Sequence, residues 1–338
     1  MARKMGIQTA ELLSKPRIMT TYTIVGPKEG EGPLGIYFDE ILADDMCGCK
    51  SFELAESKMQ LNAVQKVIER ANLKEKDISC MFAGDLLNQI MSSCFMAREV
   101  DIPFIGMYGA CSTFVESLCM ASMALEGDFG EHVLVATSSH FSSAERQFRL
   151  PLEMGSQRSP ASQWTVTGAA AVILAKKGKA PYVTHITIGK VKDYGIKDPN
   201  EMGAAMSPAA VDTIKQHFED TGRKPSDYDL IVTGDLGSVG KQITTELLKE
   251  YGYNIAPNYI DCGDEIFDCQ CQGTNCGGSG AGCSATIMSS MVYKGLLQHK
   301  YKRVLLIATG ALLSTTSNLQ GETIPGIAHA IALEFGGK

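Results

Sequence analysis

The chain repeats itself, and this constrains its fold more than any single motif. DISCMFAGDLLNQ resembles YDLIVTGDLGSVG, which sets Gly84-Asp85 opposite Gly234-Asp235. HVLVATSS resembles RVLLIATGA, which sets Ala136-Thr137 opposite Ala308-Thr309. GACSTFVESLCMASMAL lies opposite AGCSATIMSSMVYKGLL at the same offset as that second pair, so Cys111 maps onto Cys283. The first pair has a shorter offset, so the second half carries extra residues before Cys283, around CGDEIFDCQCQGTNCGG. Units of this length are not solenoid repeats. They imply a duplicated α/β fold whose halves are related by a pseudo-two-fold axis. The expected halves are 1–178 and 179–338, with KKGKAP at the junction and one site shared where their strand ends and helix starts meet.

Residues 102–137 show what one copy contains. Ile102–Met107 is short and apolar and reads as a strand. Phe114, Leu118, Ala121 and Leu125 repeat at helical spacing, and His132–Thr137 returns as a buried strand. A right-handed crossover makes the two strands parallel. Cys111 then stands at their carboxyl edge, on the first turn of the helix. A helix start there is expected to favour the thiolate and lower its pKa. The position equally suits a small core residue at a strand–helix corner.

The other elements are read in the same way. Residues 1–34, polar and rich in Gly and Pro, read as an arm or loop. Ser51–Asn72 is an amphipathic helix with Leu54, Leu61, Val64 and Ile68 on one face. Strands are expected at Ile78–Ala83, Thr165–Ala175 and in YVTHITIGKV, and a helix at Ala209–Asp220 behind Pro208.

Composition excludes several classes of function. The net charge of −7 and the lack of a basic stretch with interleaved aromatics argue against nucleic-acid binding. No apolar run approaches the roughly 18–20 residues that span a bilayer, and no signal peptide is evident. Eleven cysteines in no regular framework fit free thiols in a reducing, cytoplasmic setting. Cys262, Cys269, Cys271, Cys276 and Cys283 lack the paired spacing of zinc sites, so no metal is expected there.

A duplicated half, a Cys in GACS at a strand-to-helix turn, and TVTGAAAVIL resemble the thiolase and ketoacyl synthase superfamily. GPLG, FAGDLLNQ, GACST, ATSSH, AERQFR, SPAAVDTIKQHF, YDLIVTGDL, GSGAGCSA, ATGALLS and IPGIAHAIALE narrow this to the stage V sporulation protein AD family. The resemblance runs from about residue 24 to 335. It implies a thiolase-like fold in a layered αβαβα arrangement. It further implies a protein of spore formers that binds dipicolinic acid, alone or with calcium, for uptake into the developing spore. Homodimers through the edge strand Ile102–Met107, and attachment to the spore inner membrane through membrane-protein partners, are implied as well.

The resemblance also shows what has been lost. Acyl-transferring relatives pair the cysteine with a His and a second His or Asn. Gly234-Asp235 and Gly278-Ser279 occupy those loops here, and Ile324-Pro325 stand near the place where thiolases bring a second Cys. A lost acid–base group costs ~10²–10⁴ in rate, so a non-enzymatic protein is expected. The alternative is an acyl-transfer enzyme of the ketoacyl synthase III type, using Cys111 with coenzyme A or acyl carrier protein.

Candidate ligand contacts are Cys111 and Ser112 at the helix start, Ser138 and Ser139, His140, and His329 in the closing hairpin. Arg146 and Arg149, three apart, suit a carboxylate through bidentate bonds. Asp85 and Asp235 end equivalent strands, as helix caps or as oxygen ligands for a cation arriving with the ligand. His132, His185, His217 and His299 read as structural.

Overall fold

The computed structural model describes residues 2–149, 152, 155, 157–179 and 181–336. Ten strands carry its framework. The first half supplies β1 (Arg17–Val25), β2 (Cys80–Gly84), β3 (Phe104–Gly106), β4 (His132–Ser139) and β5 (Gly168–Ala175). The second supplies β6 (Tyr182–Thr187), β7 (Leu230–Thr233), β8 (Tyr259–Asp261), β9 (Arg303–Ala311) and β10 (Gly326–Glu334). Their spatial orders are β3-β2-β4-β5-β1 and β8-β7-β9-β10-β6. In each, the first three strands are parallel and the last two junctions antiparallel. The second order is the first with every strand moved on by five, as the internal repeat requires. β1 and β6 meet at the Arg17–Tyr182 pair, which joins both sets into one extended sheet.

The longer helices are α1 (Phe52–Arg70), α2 (Met91–Ala97), α3 (Thr113–Glu126), α4 (Phe141–Phe148), α5 (Met202–Thr221) and α6 (Gly237–Glu250). Another, α7, runs from Ala281 to Ile287 and continues through a π-helical turn, Met288–Val292, into Tyr293–Leu297. Strand alternation sorts them into layers. Val133 and Val135 of β4 face a central core that also holds Phe114 and Leu118 of α3, Ile287 and Leu296 of α7, and Val232 and Leu306 of the other half. Leu134 and Ala136 face the opposite way, onto Met59, Val64 and Val67 of α1. On the far side, Ile231, Leu305 and Ala330 pack against Ile214, Phe218 and Leu248 of α5 and α6. The result is five layers, αβαβα, with α3 and α7 between the sheet halves.

Three expectations need correction. Residues 1–34 are not all arm: Arg17–Val25 is a central strand, fully paired with β5. Its three threonines disguise it, yet threonine is a strong strand former, and two of the hydroxyls find acceptors inside. Thr21 donates to the Ser289 carbonyl (2.5 Å) and Thr23 to Asp39 (3.0 Å). The buried face of α1 is also rotated from the leucine stripe. Leu54 is exposed, whereas Ala55, Met59, Ala63 and Val67 are buried, because small side chains let the helix lie close to the sheet. Finally, Pro208 lies inside α5 rather than at its start. Ser207 Oγ donates to the Gly203 carbonyl (2.5 Å), taking up a backbone acceptor in the turn that the proline interrupts.

His185 on β6, the strand that joins the halves, and His217 on α5 sit in a buried polar chain. His217 bonds Thr187 Oγ1 (2.7 Å) and Tyr228 Oη (2.5 Å), and His185 bonds Thr184 Oγ1 (3.0 Å). Burial, followed by neighbouring positive charge, lowers His185 to about 4; burial, followed by the other histidine, lowers His217 to about 3. Both are neutral in the fold, whereas the unfolded chain protonates them near pH 6.5. Their contribution is therefore intact above pH 6.5 and lost as pH falls from there toward 4 and 3. We expect stability in denaturant to drop by about 1.4 kcal/mol per pH unit for each histidine in that window. The His185→Gln/His217→Gln double variant should flatten the slope between pH 6.5 and 4; an unchanged slope refutes the assignment.

Candidate functional site

The site begins where β3 ends. The chain leaves the strand through Met107–Ala110, with Ala110 in the left-handed region at φ 51°, and places Cys111 two residues before α3. The turn is bonded to itself. Ser112 Oγ donates to the Gly109 carbonyl (2.6 Å), and Thr113 Oγ1 accepts from Gly109 N–H (3.0 Å) and donates to the Ala110 carbonyl (2.7 Å). Gly310 of β9 lies against this turn so closely that a Cβ would stand 2.2 Å from the Gly109 carbonyl oxygen. The two halves therefore meet backbone to backbone at the cysteine.

The second half supplies what faces the sulfur. Asp235 follows β7 and is fully buried. It accepts from Thr309 Oγ1 (2.7 Å), Ser279 Oγ (3.1 Å) and Gly280 N–H (3.0 Å), and from the Cys111 thiol. Burial first, then the Asp235 charge and the hydrogen bond to it, push the Cys111 thiol well above its ordinary value. This reverses the expected lowering. Cys111 precedes the helix instead of opening it, and the amides of Ser112 and Thr113 already serve the Gly109 and Ala110 carbonyls. Those amides are not left to offset desolvation. Burial also raises Asp235 above the usual carboxylate range, but nothing here favours moving the thiol proton onto it. The sulfur facing Asp235 is thereby favoured as the neutral thiol.

A small cavity of about 30 Å³ adjoins this pair. Its walls are mainly apolar: Leu86, Tyr108, Ala144, Phe148, Met202 and Leu313, with Thr165, Ser279 and Arg149 as the polar exceptions. The predicted contacts divide sharply around it. Cys111 and Arg149 line it, and Asp235 stands directly behind the sulfur. Ser112 is used by its own turn. Ser138 donates to Glu56 (3.1 Å), and Ser139 donates to the Val166 carbonyl (2.7 Å) while accepting from Gly282 N–H (3.0 Å). These hydroxyls are structural because β4 is buried on both faces to its last residue.

His140 caps α4: its Nδ1 accepts from Ser142 N–H (3.1 Å), so Nε2–H donates to the Asp45 carbonyl (2.8 Å). His329 accepts from Gly189 N–H (3.2 Å) and does not line the cavity. The arginine pair is split. Arg146 ion-pairs with Glu53 in a separate open groove, whereas Arg149, nine-tenths buried, pairs with Glu145. Arg149 follows the last residue of α4 with non-helical backbone (φ −123°, ψ −86°), so its side chain leaves in a different direction from that of Arg146. Asp85 caps the turn after β2, accepting from Leu87 N–H (2.8 Å) and Ser93 N–H (2.7 Å). Both carboxylates are thus engaged by hydrogen bonds from the protein itself. Among the described residues no three His, Cys, Asp or Glu side chains gather as metal ligands.

The sequence reading missed the apolar walls. Tyr108, Phe148, Met202 and Leu313 come from four distant segments, and no local pattern marks them. Ser279 was recognised only as the place of a missing asparagine, yet it touches both Asp235 and the cysteine.

The thiol assignment has a direct test. Mass-resolved alkylation should label Cys111 far more slowly than the exposed Cys271 at pH 8, and Asp235→Asn should shift its labelling curve to lower pH. Equal labelling of Cys111 and Cys271 in the wild-type protein would contradict a buried, protonated thiol.

The comparisons agree with this architecture. In Aquifex aeolicus VF5, 3-oxoacyl-[acyl-carrier-protein] synthase III superposes with a TM-score of 0.58 at 13% identity, covering 95% of this chain and all of that one. A variant of OleA from Xanthomonas campestris, solved with cerulenin, gives 0.61 at 13% identity, covering 95% and 97%. At these identities the likeness speaks for the fold alone, which is thiolase-like. Stage V sporulation protein AD of Bacillus subtilis (strain 168) is 47% identical over 315 residues, 93% of each chain. The family description "Stage V sporulation protein AD" matches residues 6–334. A duplicated thiolase-like fold and this extended match together place the chain in the stage V sporulation protein AD family.

Proposed function

We propose that this protein binds dipicolinic acid without chemical turnover and supports its uptake into the developing spore, working at the inner membrane through membrane-protein partners. No helix among the described residues is long and apolar enough to cross a membrane. The observation that carries the non-catalytic reading is the Cys111–Asp235 pair. A carboxylate stands where an acyl-transferring relative needs an imidazole, and it holds the thiol protonated. Arg149 supplies the cation a carboxylate ligand requires, in a setting dry enough for a charged hydrogen bond to count.

The cavity as it stands holds about one or two waters. An aromatic diacid therefore enters only if a wall opens, and two walls adjoin open space: Arg149 borders one recess, while Tyr108, Phe148 and Leu313 border another. Calcium, if it travels with the ligand, finds its oxygens on the diacid rather than on Asp85 or Asp235.

Calorimetry with dipicolinate tests the assignment. Arg149→Gln should weaken binding by about 1–3 kcal/mol, the worth of a charge-assisted bond, while Arg146→Ala should change it little. Undiminished binding in Arg149→Gln removes the arginine from recognition. Incubation with acyl-coenzyme A should leave Cys111 unmodified; a trapped thioester would revive the acyl-transfer alternative.

A homodimer through β3 belongs to the same reading. Among the described residues the strand pairs only with β2, Ile105 is 45% exposed on its open edge, and Met120 and Met123 are exposed on α3. An open apolar edge invites pairing with another copy. Light scattering should give a dimer mass at micromolar concentration and a monomer for Ile105→Lys. A monomeric wild-type protein would refute it.

A further inference from the structure

The sequence holds two Cys-x-Cys segments, Cys47-Gly48-Cys49 and Cys269-Gln270-Cys271, and the fold treats them differently. Cys269–Gln272 is a helical turn, where residues two apart do not face each other. Its sulfurs go to separate partners. Cys269 Sγ lies 3.9 Å from the Phe267 carbonyl oxygen, and the Cys271 thiol donates to the Asp268 carboxylate.

The first segment is bent back on itself. Asp44 Oδ1 accepts from Met46 N–H (2.8 Å) and Cys47 N–H (2.9 Å). Cys47 and Gly48 are both left-handed, at φ 51° and 69°, and Cys49 N–H closes the turn on the Met46 carbonyl (2.8 Å). The reversal carries Cys49 Sγ to 3.8 Å from the Cys47 carbonyl oxygen, so the second sulfur sits against the residue that bears the first. Both side chains are half-buried and free. Burial first raises the Cys47 thiol; the Lys58 ammonium opposes this, and the nearby Cys49 adds to it. The turn is also fastened on two sides. Lys58 of α1 donates to the Cys47 carbonyl (2.9 Å), and His140, the cap of α4, to the Asp45 carbonyl (2.8 Å). The bent form is therefore held without a covalent bond between the cysteines.

We propose that Cys47 and Cys49 form a dithiol site for thiol–disulfide exchange with low-molecular-weight disulfides. One cysteine thiolate attacks the small disulfide, forming a mixed disulfide and releasing one thiolate. The second cysteine then attacks the sulfur now bonded to the first, forming the Cys47–Cys49 bond and releasing the other. Both cysteines are oxidised, the small disulfide is reduced to two thiols, and the two cysteine protons pass to those thiols. The second step is intramolecular, so a held turn favours it over capture of a second oxidant molecule. A bond that closes so small a ring at the surface is strained and readily reduced, which suits reversible exchange rather than a structural link.

Peptide mass after oxidation tests this. The full-length reduced protein is incubated with about a hundredfold excess of oxidised glutathione at pH 8, alkylated in denaturant and cleaved with trypsin. Cleavage after Lys28 and Lys50 isolates residues 29–50, whose only cysteines are Cys47 and Cys49. That peptide should lose two hydrogens, with neither glutathione nor alkyl group attached. In Cys47→Ser and in Cys49→Ser the remaining cysteine should instead carry one glutathione. Both variants keep the main-chain and Asp44 bonds of the turn, and circular dichroism checks their fold. A wild-type peptide with two glutathiones, with both cysteines alkylated, or cross-linked to another peptide overturns the proposal. So does a single variant that takes up no glutathione.

Discussion

Two helices buried back to back between two sheet halves set the terms for everything else in this protein. α3 and α7 contribute Phe114, Leu118, Ile287 and Leu296 to one core that also takes the inner faces of both halves. Fully burying a large apolar side chain is worth roughly 1.5–3 kcal/mol, so this shared core is a large part of the stability of either half. The geometry is forced by the repeat. Equivalent strands deliver equivalent helices to the centre, and their entry turns must meet. Gly310 approaching the Gly109 carbonyl, and Gly282 N–H bonded to Ser139, are the contacts where that meeting takes place.

The same burial determines the chemistry. A cysteine at a strand-to-helix turn is reactive only if something offsets the cost of a dry thiolate. Here the turn uses its own amides, and the ionisable group facing the sulfur is Asp235, which carries the wrong charge for that task. An imidazole at this place would take the proton and leave a cation beside the sulfur. The carboxylate does the opposite and favours the neutral thiol. One side chain thus works against the thiolate that a nucleophilic cysteine would need. The apolar walls and the single buried guanidinium that remain suit recognition of an anion.

Charge is distributed sparingly around that site. Of the cations in this neighbourhood, Arg146 is engaged by Glu53, while Arg149 and Arg158 share Glu145. A fully neutralised arginine would offer little to a ligand, and an unpaired one would be costly to bury. One carboxylate between two guanidinium groups is an intermediate arrangement, and it leaves positive charge beside the cavity at Cys111.

The sequence by itself determined the duplication, the βαβ-based halves, the place of Cys111 and the absence of imidazole partners, because repeats and motif losses are local patterns that survive without coordinates. It left Asp85 open between a helix cap and a cation ligand, and the structure shows it accepting from Leu87 and Ser93 N–H. The tertiary structure decided the rest. It hid a central strand behind threonines, gave Ser138, Ser139 and His140 to structural bonds, and sent Arg146 and Arg149 into different cavities. The Cys111 pKa was not legible either: its direction follows from burial and from Asp235, which lies more than a hundred residues away in the chain and reaches the sulfur only when the halves close. Desolvation depends on what surrounds a group in three dimensions, and a linear pattern does not carry that information.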